Sequence, residues 1–251
     1  MITTNDVGLA MILSSLISML GDGFIIASYF VIKNISDKIY MRLVFLIALS
    51  DLFSSIGSSI GSQVMDSNGC IIQAVASNSF ALTSIFWTVN LTGLLYNIVM
   101  YGKAFKVSFL NKRSGLIWLF PILLTLLPLS TNIYSPSNGN KISWCFIDSR
   151  NDSPKYGQLM WIWLSFYLWV WLSILYILTS FVSILRKIRN ERSHTLQPLL
   201  SRQFEKCWAY PFVLIICWTL PTISDVWIAV AHENSSRGTQ LMKKLFSQQS
   251  H

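Results

Sequence analysis

Apolar and polar positions along the chain fall into six apolar blocks separated by shorter polar stretches. They cover about residues 7–32, 42–62, 70–101, 115–133, 158–185 and 207–231. A bilayer core takes roughly 20 apolar residues in a helix, so each block is read as a membrane span. The polar tail 232–251 is too short to cross. The third block organises the rest: from Cys70 to Tyr101 there is no charged residue, and Lys103, Lys106, Lys112 and Arg113 follow. Within it, Thr83, Trp87, Asn90, Leu94 and Asn97 recur at helical spacing and share one face. Polar groups facing lipid are costly, so this face is expected to point into a helix bundle.

The other spans carry their own polar stripes. In span 1, Ser14, Ser18 and Asp22 are four apart; in span 2, Ile47, Asp51, Ser54 and Ser58 fall on one side. Gly57 and Gly61 form a small-xxx-small pair that permits close helix contact. Span 4 contains Pro121 and Pro128, which neighbouring helices tolerate in a membrane. A polar loop, 134–157, includes Trp144-Cys145. Span 5 is crowded with Trp161, Trp163, Phe166, Tyr167, Trp169 and Trp171, which suit either a membrane-interface belt or a ligand cage. In span 6, Trp218, Pro221, Thr222 and Asp225 share a face, and Pro221 supplies a natural hinge.

Composition supports the membrane reading: 53% of residues are hydrophobic and only 12% charged, against about 25% charged in soluble domains. The net charge of +8 does not point to nucleic acid, because the basic residues lie in short runs between apolar blocks. Thirteen of the nineteen Lys and Arg follow spans 1, 3 and 5. The positive-inside rule then places the amino terminus outside. Met1 to Asp6 lack a positive n-region, so span 1 is expected to direct insertion without cleavage. Asn151-Asp152-Ser153 and Asn234-Ser235-Ser236 become outward-facing glycosylation acceptors at Asn151 and Asn234.

This topology puts Cys70 and Cys145 on the oxidising side, where a disulfide between them would persist and pin the outer loop over span 3. Two free thiols are the alternative. Asp22 and Asp51 are expected near mid-bilayer on adjacent spans, with Asn90 on the polar face of span 3. Two close carboxylates cannot both ionise cheaply, so they either hold a proton or cation between them or form a structural pair. Asp225 is either a contact for a cationic ligand group or a carboxylate reaching interfacial water. The basic inner segments, with Lys103, Lys106, Arg186, Lys187 and Arg189, either dock an acidic partner surface or only set topology beside anionic lipid. All three histidines are in loops. There is no His-Glu-x-x-His pattern, no cluster of metal-ligand residues in the spans and no glycine-rich phosphate loop, so neither an enzyme nor a cofactor or metal is expected.

Taken in order, these residues resemble the G-protein-coupled receptor superfamily, and most closely its cyclic-AMP-receptor-like branch. The pieces are Gly21-Asp22, then Leu46-Ile47-Ala48-Leu49-Ser50-Asp51-Leu52, and Cys70 opening span 3. Ser84-Ile85-Phe86-Trp87-Thr88, Trp144-Cys145, Tyr210-Pro211 and Cys217-Trp218 complete the set. The resemblance covers about residues 7–231. It implies an all-α, seven-transmembrane-receptor-like bundle that binds an extracellular small molecule or peptide in its outer half. Span 6 would swing outward to admit a heterotrimeric G protein to the inner loops. Departures are plain: Asp22 replaces the frequent Asn of span 1, and Met100-Tyr101-Gly102-Lys103 stands where Asp-Arg-Tyr is common. Only six spans are read, so the bundle is expected to be truncated before the seventh. A non-signalling product that associates with another receptor chain, and a small transporter or channel subunit, are the competing expectations.

Overall fold

The computed structural model describes residues 4–32, 39–60, 67–102, 107–131, 134–136, 145–147, 160–161, 163–190, 215–219 and 222–223. The apolar blocks form helices α1 (Thr4–Val31), α2 (Ile39–Ile60), α3 (Ser67–Tyr101) and α4 (Val107–Leu126). A 3-10 segment, Leu127–Thr131, prolongs α4. Next come strands β1 (Tyr134–Pro136) and β2 (Cys145–Ile147), then a π-helical segment, Trp163–Tyr167, that leads into α5 (Leu168–Asn190). Five of the helical stretches are long and apolar enough to cross a membrane. The expected sixth span is helical where it is described, at 215–219 and 222–223.

α3 is the axis of the molecule. At 35 residues it is the longest described helix, and it packs against α2, α4, α5 and both strands, while α1 packs on α2. It stops at Gly102, whose φ of +66° lies in the left-handed region. The Gly102 N–H donates to the Ile98 carbonyl at 3.0 Å, which satisfies one of the last free carbonyls of the helix. The short strands pair antiparallel, Tyr134 opposite Ile147 and Pro136 opposite Cys145. The segment read from sequence as a polar loop therefore contains a two-stranded hairpin that packs on α3.

Because lipid tails are as apolar as leucine, helices in a membrane associate through packing and hydrogen bonds. Both are visible here. At Gly57 a Cβ would sit 3.2 Å from the Ser77 amide nitrogen and Oγ, so glycine sets how closely α2 approaches α3. One turn away the Ser54 hydroxyl donates to the Ser77 carbonyl at 3.0 Å. Rings continue the seam: Phe53 meets Phe80 at 5.0 Å, and Phe80 meets Trp118 of α4 at 6.1 Å. Around Trp87, which is fully buried, Leu43, Leu94 and Ile117 close a core shared by α2, α3 and α4.

α3 and α4 are also tied by the buried hydroxyls of Ser79 and Thr125, 2.5 Å apart. Interhelical hydrogen bonds in membranes are worth about 0.6–2 kcal/mol. Thr125→Val is therefore expected to lower unfolding stability in mixed micelles by about 1 kcal/mol, since it also leaves the Ser79 hydroxyl buried. An unchanged unfolding midpoint would show that the pair does not hold the helices together. Pro121, within α4, is buried, and the Thr125 hydroxyl lies 3.0 Å from its carbonyl.

Candidate functional site

At the hairpin end of the bundle, β1 and β2 both lie against α3. β2 begins at Cys145, and Cys70 is in the first turn of α3. The two expected disulfide partners thus belong to elements in contact, although their side chains lie outside the described residues. Near the same end Gln73 is 4% exposed and buries an amide oxygen that has no hydrogen-bond partner.

Below the hairpin lies an aromatic wall built from α3, the π segment and α5. Phe166 and Tyr167 are buried with Ala74, Leu82, Ile85 and Val170, and Trp161, Trp169 and Trp171 pack on the outside of this core. These aromatics therefore do more than form an interfacial belt: the middle of the row is interior. The π segment explains how. Ser165, Phe166 and Tyr167 are consecutive and all buried, which a 3.6-residue helix with one inward stripe does not achieve. One extra residue per turn lets the backbone present all three, and it loosens the carbonyl ladder. The freed Leu164 carbonyl accepts the Trp169 indole N–H at 3.0 Å. Trp169 in turn meets Phe120 of α4 edge-on at 4.9 Å and Phe86 of α3 at 6.5 Å.

The wall reaches the expected sixth span. Phe166 and Trp218 have ring centroids 5.3 Å apart. Thr222 is buried, and its hydroxyl donates to the Trp218 carbonyl at 2.6 Å. Pro221 and Asp225 lie outside the described residues.

The carboxylates sit on α1 and α2. Asp22 is 9% exposed and accepts from the Ser18 hydroxyl at 3.3 Å. Asp51 is half-buried, bonds with the Ser84 side chain and lies within electrostatic reach of Asp22. The Asp51–Ser84 bond ties α2 to α3, and Asp22 of α1 bonds within its own helix to Ser18. Asn90, expected to belong to this group, turns back on its own helix and donates to the Phe86 carbonyl at 2.8 Å. In the sequence Ser84 belongs to the Ser84–Thr88 motif but carries no role of its own. Its signal is a second row of hydroxyls, Ser77, Ser84, Thr88 and Thr92, beside the more conspicuous Trp and Asn row; hydroxyls barely perturb an apolar pattern.

At the far end, α5 runs on through Arg186, Lys187 and Arg189, and its last turn is basic. Arg186 and Arg189 are exposed and Lys187 is half-buried. Lys103, Lys106, Asn151 and Asn234 lie outside the described residues. Among the described residues no group of three or more metal-ligating side chains is found.

Comparison with known proteins agrees with this geometry. The chain is 23% identical over 215 residues to cyclic AMP receptor 2 of Dictyostelium discoideum, covering 83% of this chain and 55% of that one. It is 25% identical over 202 residues to G-protein coupled receptor 157 of Homo sapiens, covering 76% of this chain and 58% of that one. The chain spans about half the length of these curated relatives. Its fold is similar to that in the crystal structure of squid rhodopsin, with a TM-score of 0.59 at 16% identity, covering 78% of this chain and 55% of that one. The helices and the relatives together make this a multi-pass membrane protein with a G-protein-coupled-receptor-like fold. A family model described as slime mold cyclic AMP receptor matches residues 2–243, nearly the whole sequence, and the chain belongs to that family.

Proposed function

We propose that the chain acts as a cell-surface receptor, with its amino terminus outside the plasma membrane, that passes a ligand signal to a heterotrimeric G protein. The observation that carries this reading is the run of ring contacts from Trp163 through Tyr167 and Phe166 to Trp218. A ligand held under the hairpin, against α3 and the π segment, would press on Phe166 and so on the sixth span, where Pro221 serves as hinge and Asp225 as a ligand-side carboxylate. The hairpin is held by a Cys70–Cys145 disulfide, and Asn151 and Asn234 are glycosylated on the same side. Family membership and the name of the Dictyostelium relative make cyclic AMP the first ligand to try. The basic end of α5, with Lys103 and Lys106, forms the surface offered to the G protein, whose acidic groups would meet Arg186, Lys187 and Arg189. Asp51, Ser84 and Asp22 form a cation or proton site that biases the bundle between its states.

The test is guanine-nucleotide exchange in membranes that carry the chain and a heterotrimeric G protein, with cyclic AMP as the probe ligand. Exchange is expected to rise above that of membranes without the chain. Changing Arg186, Lys187 and Arg189 together to glutamine is expected to lower it about tenfold, because loss of surface charge slows encounter with the partner. Exchange indifferent both to the chain and to the triple substitution would sink this reading.

A further inference from the structure

Gln73 lies in the early turns of α3. It is 4% exposed, and its amide oxygen Oε1 is buried without a hydrogen-bond partner. A buried acceptor left unmet costs a fold stability and calls for an explanation. The hydroxyls of the adjoining turns do not supply one, because they are committed to backbone. Ser77, four residues on, donates to the Gln73 carbonyl at 2.7 Å. Ser54 of α2 donates in turn to the Ser77 carbonyl at 3.0 Å. Both donors pass the side-chain amide over.

The surroundings narrow the missing partner. From Cys70 to Tyr101 the chain carries no charge, so the position suits a neutral donor and not an ion. Ala74, the next residue, belongs to the apolar core on which Ile71, Val75 and Trp161 pack. An amide beside an apolar and aromatic wall suits a flat heterocycle, with its ring against the wall and its polar edge at the amide. A glutamine amide pairs twice with such an edge when an amino group and a ring nitrogen lie side by side, as they do in adenine.

We propose that Gln73 is the residue that selects the ligand, accepting from a ring amino group through Oε1 and donating to the neighbouring ring nitrogen through Nε2. The assignment rests on the reading of the chain as a receptor and gives its ligand a class, an amino-substituted heterocycle. Binding supplies the donor that the free fold lacks. An analogue without the amino group leaves the oxygen buried and unmet, which is how a polar site rejects a near-copy of its ligand.

Displacement of tritiated cyclic AMP from membranes that carry the full chain, with no G protein added, tests the assignment. The competitors are cyclic AMP and the same cyclic nucleotide with hydrogen in place of its 6-amino group. On the unaltered chain cyclic AMP is expected to compete at about tenfold lower concentration. Gln73→Met keeps the length of the side chain and removes the unmet oxygen. It is expected to unfold at no lower a temperature, to bind cyclic AMP about tenfold more weakly and to treat the two nucleotides alike. Equal competition on the unaltered chain would overturn the assignment. So would a preference undiminished in Gln73→Met, or the absence of displaceable binding. Guanine-nucleotide exchange on the same membranes, with G protein added, keeps this result apart from the receptor reading. Selective binding without exchange removes signalling and leaves Gln73 its role; exchange raised equally by both cyclic nucleotides keeps the receptor and removes the role.

Discussion

Trp87→Ala is expected to destabilise the bundle by about 3 kcal/mol, the low end of what large aromatic truncations cost in soluble cores. The reason for the low end is the solvent. In water such a change loses both the transfer of the ring out of water and the packing around it. In a bilayer the transfer contribution nearly vanishes and the void remains. Trp87 is 0% exposed among Leu43, Leu94 and Ile117, and Trp118 meets it at 6.5 Å, so little can collapse into the space. Trp87→Phe separates shape from chemistry. The indole N–H is buried with no hydrogen-bond partner, and phenylalanine removes that unmet donor while keeping a six-membered ring. Its cost is expected to stay below about 1 kcal/mol. Equal losses for the two variants, measured by unfolding in mixed micelles, would contradict the packing account.

Asp51→Asn is expected to leave the fold nearly intact and remove the response of nucleotide exchange to sodium. An asparagine fits the same space and still accepts from the Ser84 hydroxyl, so unfolding should shift by no more than about 1 kcal/mol. What changes is the charge. Asp22 lies within electrostatic reach of Asp51, and a cation relieves the repulsion of two acids. If the chain acts as proposed, its exchange is expected to change about fivefold when sodium is replaced by a large organic cation, the size of a coupling of about 1 kcal/mol. The Asp51→Asn variant should be flat in the same titration. Identical sodium dependence in both would reduce Asp22 and Asp51 to a structural tie between helices. Asp51→Leu provides the contrast: it leaves the Ser84 hydroxyl without its acceptor and is expected to cost about 1–3 kcal/mol.

Much of the bundle was legible in the chain because membrane spans are written in long apolar runs. α1, α2 and α3 lie where those runs lie; of the row Thr83, Trp87, Asn90, Leu94 and Asn97, the first, second and fourth are buried, while Asn90 and Asn97 are half-buried and bond to their own helix. Gly57 was legible as a close approach because a missing side chain has one common use between membrane helices. The beginning of α4 was not: the helix starts at Val107, well before the apolar block, because backbone bonds continue through Asn111, Lys112 and Arg113 at the membrane edge. The hairpin was also hidden, since strands of three residues carry no periodicity to read. Among candidate residues, Asp51 stood out as a charge in an apolar run, whereas its partner Ser84 did not. Asn90 shows the converse: a polar side chain that stands out in sequence and then satisfies itself on its own helix.

The π segment at Trp163–Tyr167 bears on how relatives of this chain should be compared. A residue added to one turn rotates everything that follows by roughly 100° about the helix axis. Beyond it the buried positions, Val170, Ser173, Ile174, Ile177, Ser180 and Ile184, fall back into ordinary helical steps. A relative whose corresponding helix is regular throughout would match these positions only after a one-residue gap at the aromatic stretch. An ungapped alignment would set lipid-facing residues of one protein beside core residues of the other, and make a preserved interior look like divergence.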